Sequence, residues 1–321
     1  MQELVNRQDI LQSSGRGARS MMPFRKYFRM NIALYVMLIP GIVNLILFKY
    51  LPMYGIVVSF QDFVPKLGYF GSPFVGLKHF EAFFRDPFAF RVIRNTFLLG
   101  FYSLLFGFPA PILLALALNE LRYPRFKRVV QTISYMPYFL SVVIVVGMVR
   151  DLVSATDGPI NAAITAMGGK SISFLTSPGW FRTLYISSGI WQGIGFSSII
   201  YLAAMAGINP EMYEAAVIDG AGRMQQIRYI TLPSIAPTIT ILFILAVGGI
   251  LGNDFQKILL LYNSRVYSTA DVVSTYVYRA GIEGSSFSYA SAVGLLLNII
   301  SLFFLVSANW VSRRVGETSL F

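Results

Sequence analysis

The sequence predicts an all-α, polytopic membrane protein with six transmembrane helices and both termini in the cytoplasm. Of the 321 residues, 55% are hydrophobic and only 13% are charged, and the mean hydropathy is +0.61. A soluble chain with so few charged residues could not cover its surface. Six stretches are long and apolar enough to cross a bilayer, which requires about 20 residues per helix.

Composition also excludes several kinds of chemistry. The chain has no cysteine and a single histidine, His79, so thiolate or histidine metal sites and acid–base pairs are not expected. The net charge of +11 fits basic residues that flank membrane spans, and we expect no nucleic-acid partner. We therefore predict no catalytic residue, no metal and no cofactor in this chain.

Residues 1–30 form the first predicted region, a basic cytoplasmic tail, and residues 31–321 form the six-helix membrane domain. The tail lacks a cleavage site of the signal-peptide type, so the first span is expected to be retained. That span, residues 32–60, contains Lys49 and Pro52 and is too long for one bilayer thickness. It is expected either to tilt or to kink at Pro52.

The remaining spans follow the apolar runs, and their orientation follows Lys and Arg. With the N-terminus inside, the inner segments hold 14 basic residues in 82 positions and the outer segments hold 10 in 99. Four of the inner ones lie between residues 119 and 130, which places this loop in the cytoplasm. The five spans are predicted near residues 93–118, 131–150, 183–206, 236–255 and 288–311.

A polar segment at about 207–236 interrupts the apolar pattern. Asn209 is a good helix N-cap and Pro210 suits the first helical position, so a helix is predicted from there to about Ile218. Asp219-Gly220 is a turn signal. A second short helix is predicted from Arg223 to about Thr231, set at an angle to the first. These residues alone also fit an amphipathic loop that lies on lipid headgroups.

The same segment resembles the EAA loop of ABC-importer permeases that work with a separate substrate-binding protein. The resemblance rests on a Glu-Ala-Ala, two residues, Asp-Gly-Ala pattern followed by Leu232 and Pro233; Ile227 departs from the phenylalanine of many members. Further stretches, including "YLPMYGIVVSF", "FPAPILLALALNELR" and "VVQTISYMPYFLS", resemble the oligosaccharide and polysaccharide branch of the family, which is related to maltose-type permeases and includes alginate-type importers.

The resemblance implies a function and a set of partners. The chain would be a permease subunit of the bacterial cytoplasmic (inner) membrane that imports a sugar by alternating access. Its partners would be a second, similar permease, two ATPase subunits that bind ATP and Mg, an extracytoplasmic solute-binding protein, the oligosaccharide and membrane lipid. The first helix of the loop would dock on an ATPase subunit, with Asp219 stabilising the turn. The implied coupling residues are Glu214, Ala215, Ala216, Asp219, Gly220 and Ala221.

Sugar recognition requires hydrogen-bonding groups together with apolar faces, and the fourth and fifth spans offer both. Residues 189, 192, 193 and 196 share one helical face. The glycines also fit Gly-x-x-x-Gly helix packing, and the sequence leaves these two interpretations open. The candidate pathway residues are Gly189, Trp191, Gln192, Gly193, Phe196, Tyr201, Gly249, Gly252 and Asn253.

Two rival functions are an intramembrane enzyme and an ion-coupled secondary transporter. The enzyme is disfavoured because the chain has no cysteine, one histidine and no paired carboxylates within a span. An ion-coupled secondary transporter would require acidic residues within the spans, and none lies at a span centre. Asp254 and Lys257, at spacing three, are interpreted as an anchoring pair at the outer rim. If the cargo were a uronate, Lys49, Arg150 and Lys257 would instead form an attractive outer mouth.

Overall fold

The computed structural model describes residues 30–315, which are almost entirely helical. The predicted N-terminal tail therefore lies outside the described residues, apart from Met30. Within the described range the β structure is one isolated antiparallel bridge between Gln61 and Phe74. The predicted all-α class is confirmed.

Fourteen helical segments account for most of the described chain. Two compact units divide it, one that ends at Gly55 and one that begins at Ile56. The segments are α1 Ile32–Phe60, α2 Gly68–Gly71, α3 Lys78–Arg85, α4 Ala89–Asn119, α5 Pro124–Phe139, α6 Val142–Leu152, α7 Pro159–Ala166, α8 Pro178–Ala206, α9 Pro210–Ile218, α10 Arg223–Gly248, α11 Phe255–Leu261, α12 Tyr267–Ala270, α13 Val273–Tyr278 and α14 Phe287–Val315.

Five helices are long and apolar enough to cross a membrane, namely α1, α4, α8, α10 and α14. The predicted third span is not one helix, because α5 and α6 meet at an angle of 105°. Pro137 lacks a backbone N–H, Leu140 is extended, and Ser141 caps α6 through its hydroxyl. Six spans are obtained only if this bent pair counts as one.

Three of the long helices contain a π-helical stretch that ends two residues before a proline. The prolines are Pro52 in α1, Pro109 in α4 and Pro233 in α10. A proline ring clashes with the carbonyl four residues earlier, and a wider π turn relieves such crowding. The predicted break at Pro52 is therefore absorbed inside one helical segment.

Two expectations about the fifth span are wrong. The second helix of the polar segment is not separate, because α10 runs without a break from Arg223 to Gly248 and passes through Pro237. The span also ends at Gly248 rather than near residue 255, and a non-helical stretch leads to α11. The glycines at 248, 249 and 252 explain this early end, since glycine weakens a helix interior.

Backbone contacts lock the helices that surround the centre of the second unit. A Cβ on Gly195 of α8 would lie 2.0 Å from the carbonyl oxygen of Ser134 in α5. A Cβ on Gly100 of α4 would lie 1.7 Å from the carbonyl oxygen of Ile250, just after α10. Only glycine permits these approaches, which fix α4, α5, α8 and the end of α10 around a common space.

The non-helical connections after α11 are held by a buried ion pair. The carboxylate of Asp271 is 1% exposed and accepts a hydrogen bond of 2.7 Å from Arg279. Arg91 of α4 lies 3.9 Å from the same carboxylate, and the Asn95 side chain donates to the carbonyl of Asp271. This cluster holds the segment around α12 and α13 against the first turns of α4.

Candidate functional site

Two adjoining cavities lie between α4, α5, α8 and the end of α10. Their volumes are about 530 Å³ and 440 Å³. Both are lined by Ser103, Gly107, Pro111, Tyr138, Tyr185 and Ser197. The π-helical stretch of α4 thus faces the cavities, and volumes of this size match those of small-ligand sites.

An aromatic platform forms one wall. The rings of Tyr138 and Phe196 stack with centroids 3.9 Å apart and an interplanar angle of 5°. Tyr138 reaches this position because the chain bends sharply after α5. A flat aromatic surface beside the hydroxyls of Ser103 and Ser197 can contact both the apolar face and the hydroxyl edge of a sugar ring.

The glycines of the predicted pathway have two different roles. Gly189 and Gly193 line the smaller cavity, and a Cβ on Gly193 would meet nothing within 4 Å. Gly249 and Gly252 line the larger cavity, and a Cβ there would meet only their own preceding turn. By contrast, a Cβ on Gly248 would lie 2.6 Å from the Leu305 side chain, so this glycine serves helix packing.

The two predicted amide side chains bond to backbone at the breaks in the helices. Gln192 donates from Nε2 to the carbonyl oxygen of Leu140 at 3.1 Å, where α5 gives way to α6. Asn253 donates from Nδ2 to the carbonyl oxygen of Thr96 at 3.2 Å, in the stretch after α10. The carbonyl of Leu140 lies outside a helix and requires such a partner away from water, whereas the carbonyl of Thr96 belongs to α4. Both residues line a cavity, and each bond uses only one of the two amide N–H groups.

The remaining pathway candidates differ in position. Phe196 and Tyr201 line the larger cavity, and Tyr201 is also packed between α4 and α10 against Ala115 and Ile235. Trp191 lines neither of the two cavities and is 43% exposed. The helical face predicted from residues 189, 192, 193 and 196 is therefore turned toward the adjoining cavities, whereas Trp191 points elsewhere.

Lys257 occupies a position that its sequence spacing did not reveal. It is 3% exposed, lines the smaller cavity, and holds Nζ 5.2 Å from the centroid of the Tyr185 ring. The predicted rim pair with Asp254 is wrong, because the Asp254 carboxylate instead accepts from the backbone N–H of Lys257 and caps α11. Burial lowers the pKa of the Lys257 ammonium to about 8, although Asp254 acts in the opposite direction.

The other two members of the hypothetical basic mouth lie elsewhere. Arg150 of α6 donates to the carbonyl of Leu260 at the end of α11. Lys49 belongs to α1 in the first compact unit. Of the three basic residues, Lys257 is the one that lines either of these two cavities.

The predicted first helix of the polar segment is confirmed as α9. The Asn209 side chain accepts from the N–H of Glu211 at 3.1 Å, and Pro210 begins the helix. At the other end Gly220 has a φ of +78°. The N–H of Ala221 donates to the carbonyl of Ala216 at 2.8 Å, and the N–H of Gly220 donates to that of Val217 at 3.1 Å.

This geometry corrects the role expected for Asp219 in the turn. The turn is closed by backbone hydrogen bonds of the Schellman type, and Asp219 contributes its N–H to the carbonyl of Ala215. Its side chain is solvent-exposed and makes no hydrogen bond within residues 30–315. Its carboxylate therefore remains available to a partner.

The tip of α9 is apolar and uncovered, a feature that the sequence reading missed. Ile218 is 86% exposed and Val217 is 63% exposed, and Met224 at the start of α10 is 74% exposed. Glu214 and Ala215 are also exposed, whereas Ala216 and Ala221 are half-buried. An apolar tip beside a carboxylate is a suitable surface for docking on another protein.

A single side-chain bond connects α9 with the base of α10. The hydroxyl groups of Tyr213 and Thr231 lie 2.9 Å apart. Thr231 is 1% exposed and also donates to the carbonyl of Gln226 in its own helix. This bond links α9 to α10, whose other end lines the larger cavity.

Comparisons with known proteins agree on one group. Residues 107–317 match the family described as binding-protein-dependent transport system inner membrane component. The chain is 45% identical over 288 residues to the polygalacturonan/rhamnogalacturonan transport system permease protein YteP of Bacillus subtilis, a match that covers 90% of each chain. It is 42% identical to the protein LplB of the same organism, over 90% of this chain and 91% of LplB.

Two solved structures are similar along nearly the whole chain. One is a bacterial ABC transporter involved in the import of the acidic polysaccharide alginate, with a TM-score of 0.83, 43% identity and coverage of 90% of this chain and 98% of that one. The other is a bacterial alginate ABC transporter in complex with an alginate pentasaccharide-bound periplasmic protein, with a TM-score of 0.85, 42% identity and coverage of 92% and 99%.

Proposed function

This chain belongs to the family of binding-protein-dependent transport system inner membrane components, and we propose that it is the permease subunit through which an ABC importer takes up an acidic poly- or oligosaccharide. The chain itself is a transport subunit rather than an enzyme. It resides in the bacterial inner membrane, and ATP hydrolysis belongs to separate subunits.

One observation carries the proposal. The exposed helix α9 connects α8 to α10, and these two helices line the cavities, α8 with Gly189 and Phe196 and α10 with Leu242. The possible cargo site and the possible docking surface are thus parts of one continuous piece of chain. A permease driven by an ATPase requires such a connection, because the ligand can bias a two-state switch only through contacts that differ between the states.

The cargo class follows from the relatives together with the cavity. YteP is named for polygalacturonan and rhamnogalacturonan, and the two solved structures for alginate, all of which are polysaccharides that contain uronate carboxylates. The cavities of this chain offer an aromatic platform, hydroxyl groups and the buried ammonium of Lys257. This combination suits a uronate-containing oligosaccharide.

The assembly would contain four kinds of chain. We propose that α9 docks on one of two ATPase subunits, which bind ATP and Mg, and that Glu214 pairs with a basic residue there. Ile218 and Val217 would enter an apolar groove, with Ala215, Asp219 and Gly220 at the contact. A second, similar permease would complete the pathway, and a solute-binding protein would deliver the cargo from outside. In this arrangement α9 and both termini face the cytoplasm, in agreement with the basic inner loops.

ATP-driven movement follows from this arrangement. Closure of the ATPase dimer would move the docked α9, and the Tyr213–Thr231 bond would transmit the movement to α10. Because α10 is continuous, its cavity end would shift with its base. An ion-coupled secondary transporter is the rival function. It would leave the exposed apolar tip of α9 without a partner.

Co-purification and reconstitution test the proposal. The tagged chain, extracted from its native membranes in mild detergent, should bring an ATPase subunit and a second permease with it. Ile218→Asp should remove the ATPase, because a carboxylate would be buried in an apolar groove. Met167→Asp is a matched control, since Met167 is 80% exposed and lies beyond α7.

Reconstituted complexes give the functional readout. Proteoliposomes that hold the full complex should take up pentagalacturonate only with ATP and the loaded binding protein. A chain that purifies alone, or that drives uptake by an ion gradient without ATP, would refute the proposal and favour the secondary transporter.

A further inference from the structure

We propose that Lys257 binds the carboxylates of the cargo inside the cavity and thereby selects acidic over neutral oligosaccharides. The inference rests on the proposed function, which it makes more specific. It concerns a single side chain whose position, burial and surroundings are all unusual for a structural lysine.

The first argument is that the Lys257 ammonium forms no salt bridge with any residue in the part of the chain that the structure describes. Within residues 30–315, no carboxylate oxygen lies within 4.0 Å of the Lys257 Nζ, and Nζ makes no hydrogen bond. The nearest acid along the chain, Asp254, is held at the start of α11 by the hydrogen bond from the Lys257 backbone. A buried, unpaired ammonium is costly, and such groups in membrane proteins are typically functional.

The second argument is what surrounds the ammonium. Nζ lies over the Tyr185 ring, and on the α8 side it faces Gly189. A Cβ on Gly189 would approach Nζ to 3.3 Å, so the glycine leaves the head group open to the cavity. The Tyr185 ring on one side of the ammonium and the free space beside Gly189 leave Nζ accessible to a ligand in the cavity.

The third argument is that Lys257 shares a cavity with the aromatic platform. Lys257 and Tyr138 line the same 440 Å³ cavity, and Tyr138 stacks on Phe196 in the adjoining one. A sugar ring on this platform would lie in the same cavity as the ammonium. The carboxylate of a uronate could then accept a charge-assisted hydrogen bond from Nζ, which makes no hydrogen bond within residues 30–315.

The experiment compares two probes that differ only in charge. Full complexes in proteoliposomes are supplied with binding protein loaded with pentagalacturonate or with its fully methyl-esterified form. Lys257→Met retains the length of the side chain and removes its charge. We expect its maximal uptake rate for pentagalacturonate to fall roughly tenfold or more, and the rate for the methyl ester to stay within about twofold.

Further variants exclude a structural explanation. Lys257→Arg should preserve most of the preference for the acidic probe. Asp254→Asn keeps the helix cap but removes the charge that raises the pKa of the Lys257 ammonium, so uptake of the acidic probe should begin to decline at a lower pH than in the wild type. Gly189→Ala should impair the acidic probe, because its methyl group crowds Nζ. Gly179→Ala, in the first turn of the same helix, should not, because Gly179 lines neither cavity and its Cβ would meet nothing within 4 Å.

A second measurement does not depend on delivery by the binding protein. In detergent-solubilised complex, acetic anhydride should acetylate Lys257 more slowly when pentagalacturonate is present, and the methyl ester should give no protection. Equal protection of Lys257 from acetylation by both probes, or an equal loss of uptake of both probes in Lys257→Met, would overturn the role of Lys257. The proposed importer function would still stand in that case. A wild-type complex that imports neither probe would overturn the proposed function, and the role of Lys257 with it.

Discussion

The bond between Tyr213 and Thr231 provides the most direct test of coupling. Tyr213→Phe removes one hydroxyl and leaves the ring in place, so α9 keeps its shape and its exposed tip. Thr231 remains satisfied, because its hydroxyl still donates to the carbonyl of Gln226 at 3.4 Å. The substitution therefore removes one hydrogen bond without leaving a buried group unpaired.

The expected loss of coupling in Tyr213→Phe follows from the removal of one hydrogen bond. A net hydrogen bond contributes about 0.5–1.5 kcal/mol, which corresponds to roughly a 2- to 13-fold change in an equilibrium between two states. We expect the ATPase subunits to co-purify normally and to hydrolyse ATP, while the number of oligosaccharides imported per ATP falls by a factor in that range. The assay measures uptake and phosphate release in the same proteoliposomes.

A double-mutant cycle separates coupling from general damage. If the bond transmits the movement, Tyr213→Phe and Thr231→Val should be strongly non-additive. Tyr229→Phe is the control, because Tyr229 is 68% exposed on the same stretch of α10. Additive losses, or an unchanged transport ratio in Tyr213→Phe, would refute the idea that this contact carries the signal.

Three further predictions concern packing, docking and pH. Gly195→Ala should lower the thermal stability of the complex or abolish its assembly, because the new methyl group would overlap the carbonyl of Ser134. The measurement is size-exclusion chromatography after heating, and Gly193→Ala should be as stable as the wild type. Glu214→Lys should leave the chain in the membrane but abolish cargo-dependent ATPase stimulation, and wild-type stimulation would contradict the pairing of Glu214 with a basic residue. Uptake of the acidic probe should decline as the pH rises through about 8, because Lys257, with its lowered pKa, is neutral above that value. The titratable groups that share its cavity are Tyr138, Tyr185 and Asp254. A flat profile of uptake between pH 7 and 9 would argue against this.

The part of the structure best predicted from the sequence is α9 and its turn. Its N-cap, its first proline and its final glycine act through bonds within a few residues, so local reading suffices. The bend after α5 was missed because apolar residues continue on both sides of it. Its stability depends on Gln192, a residue 52 positions from Leu140.

Lys257 illustrates a different limit of sequence reading. Its spacing from Asp254 suggested a pair of side chains on one helical face, but Asp254 is the cap and not part of the helix. The break after Gly248 starts α11 in a new direction and carries Lys257 into the cavity. A tertiary arrangement of this kind leaves no periodic signal in the sequence.

The unbroken course of α10 has a consequence for how such proteins diversify. Its 26 residues span about 39 Å at 1.5 Å per residue. That distance is several times the roughly 8 Å over which charges interact at physiological salt, and substitutions so far apart generally have independent effects. If the site assignments proposed above hold, mutations near Gly249 would change the cargo while the surface near Arg223 would still bind the same ATPase. The continuous helix α10 thus connects the two ends mechanically but keeps their charges too far apart to interact. Under the proposed function, the sugar specificity could therefore change in evolution without a change of the ATPase partner.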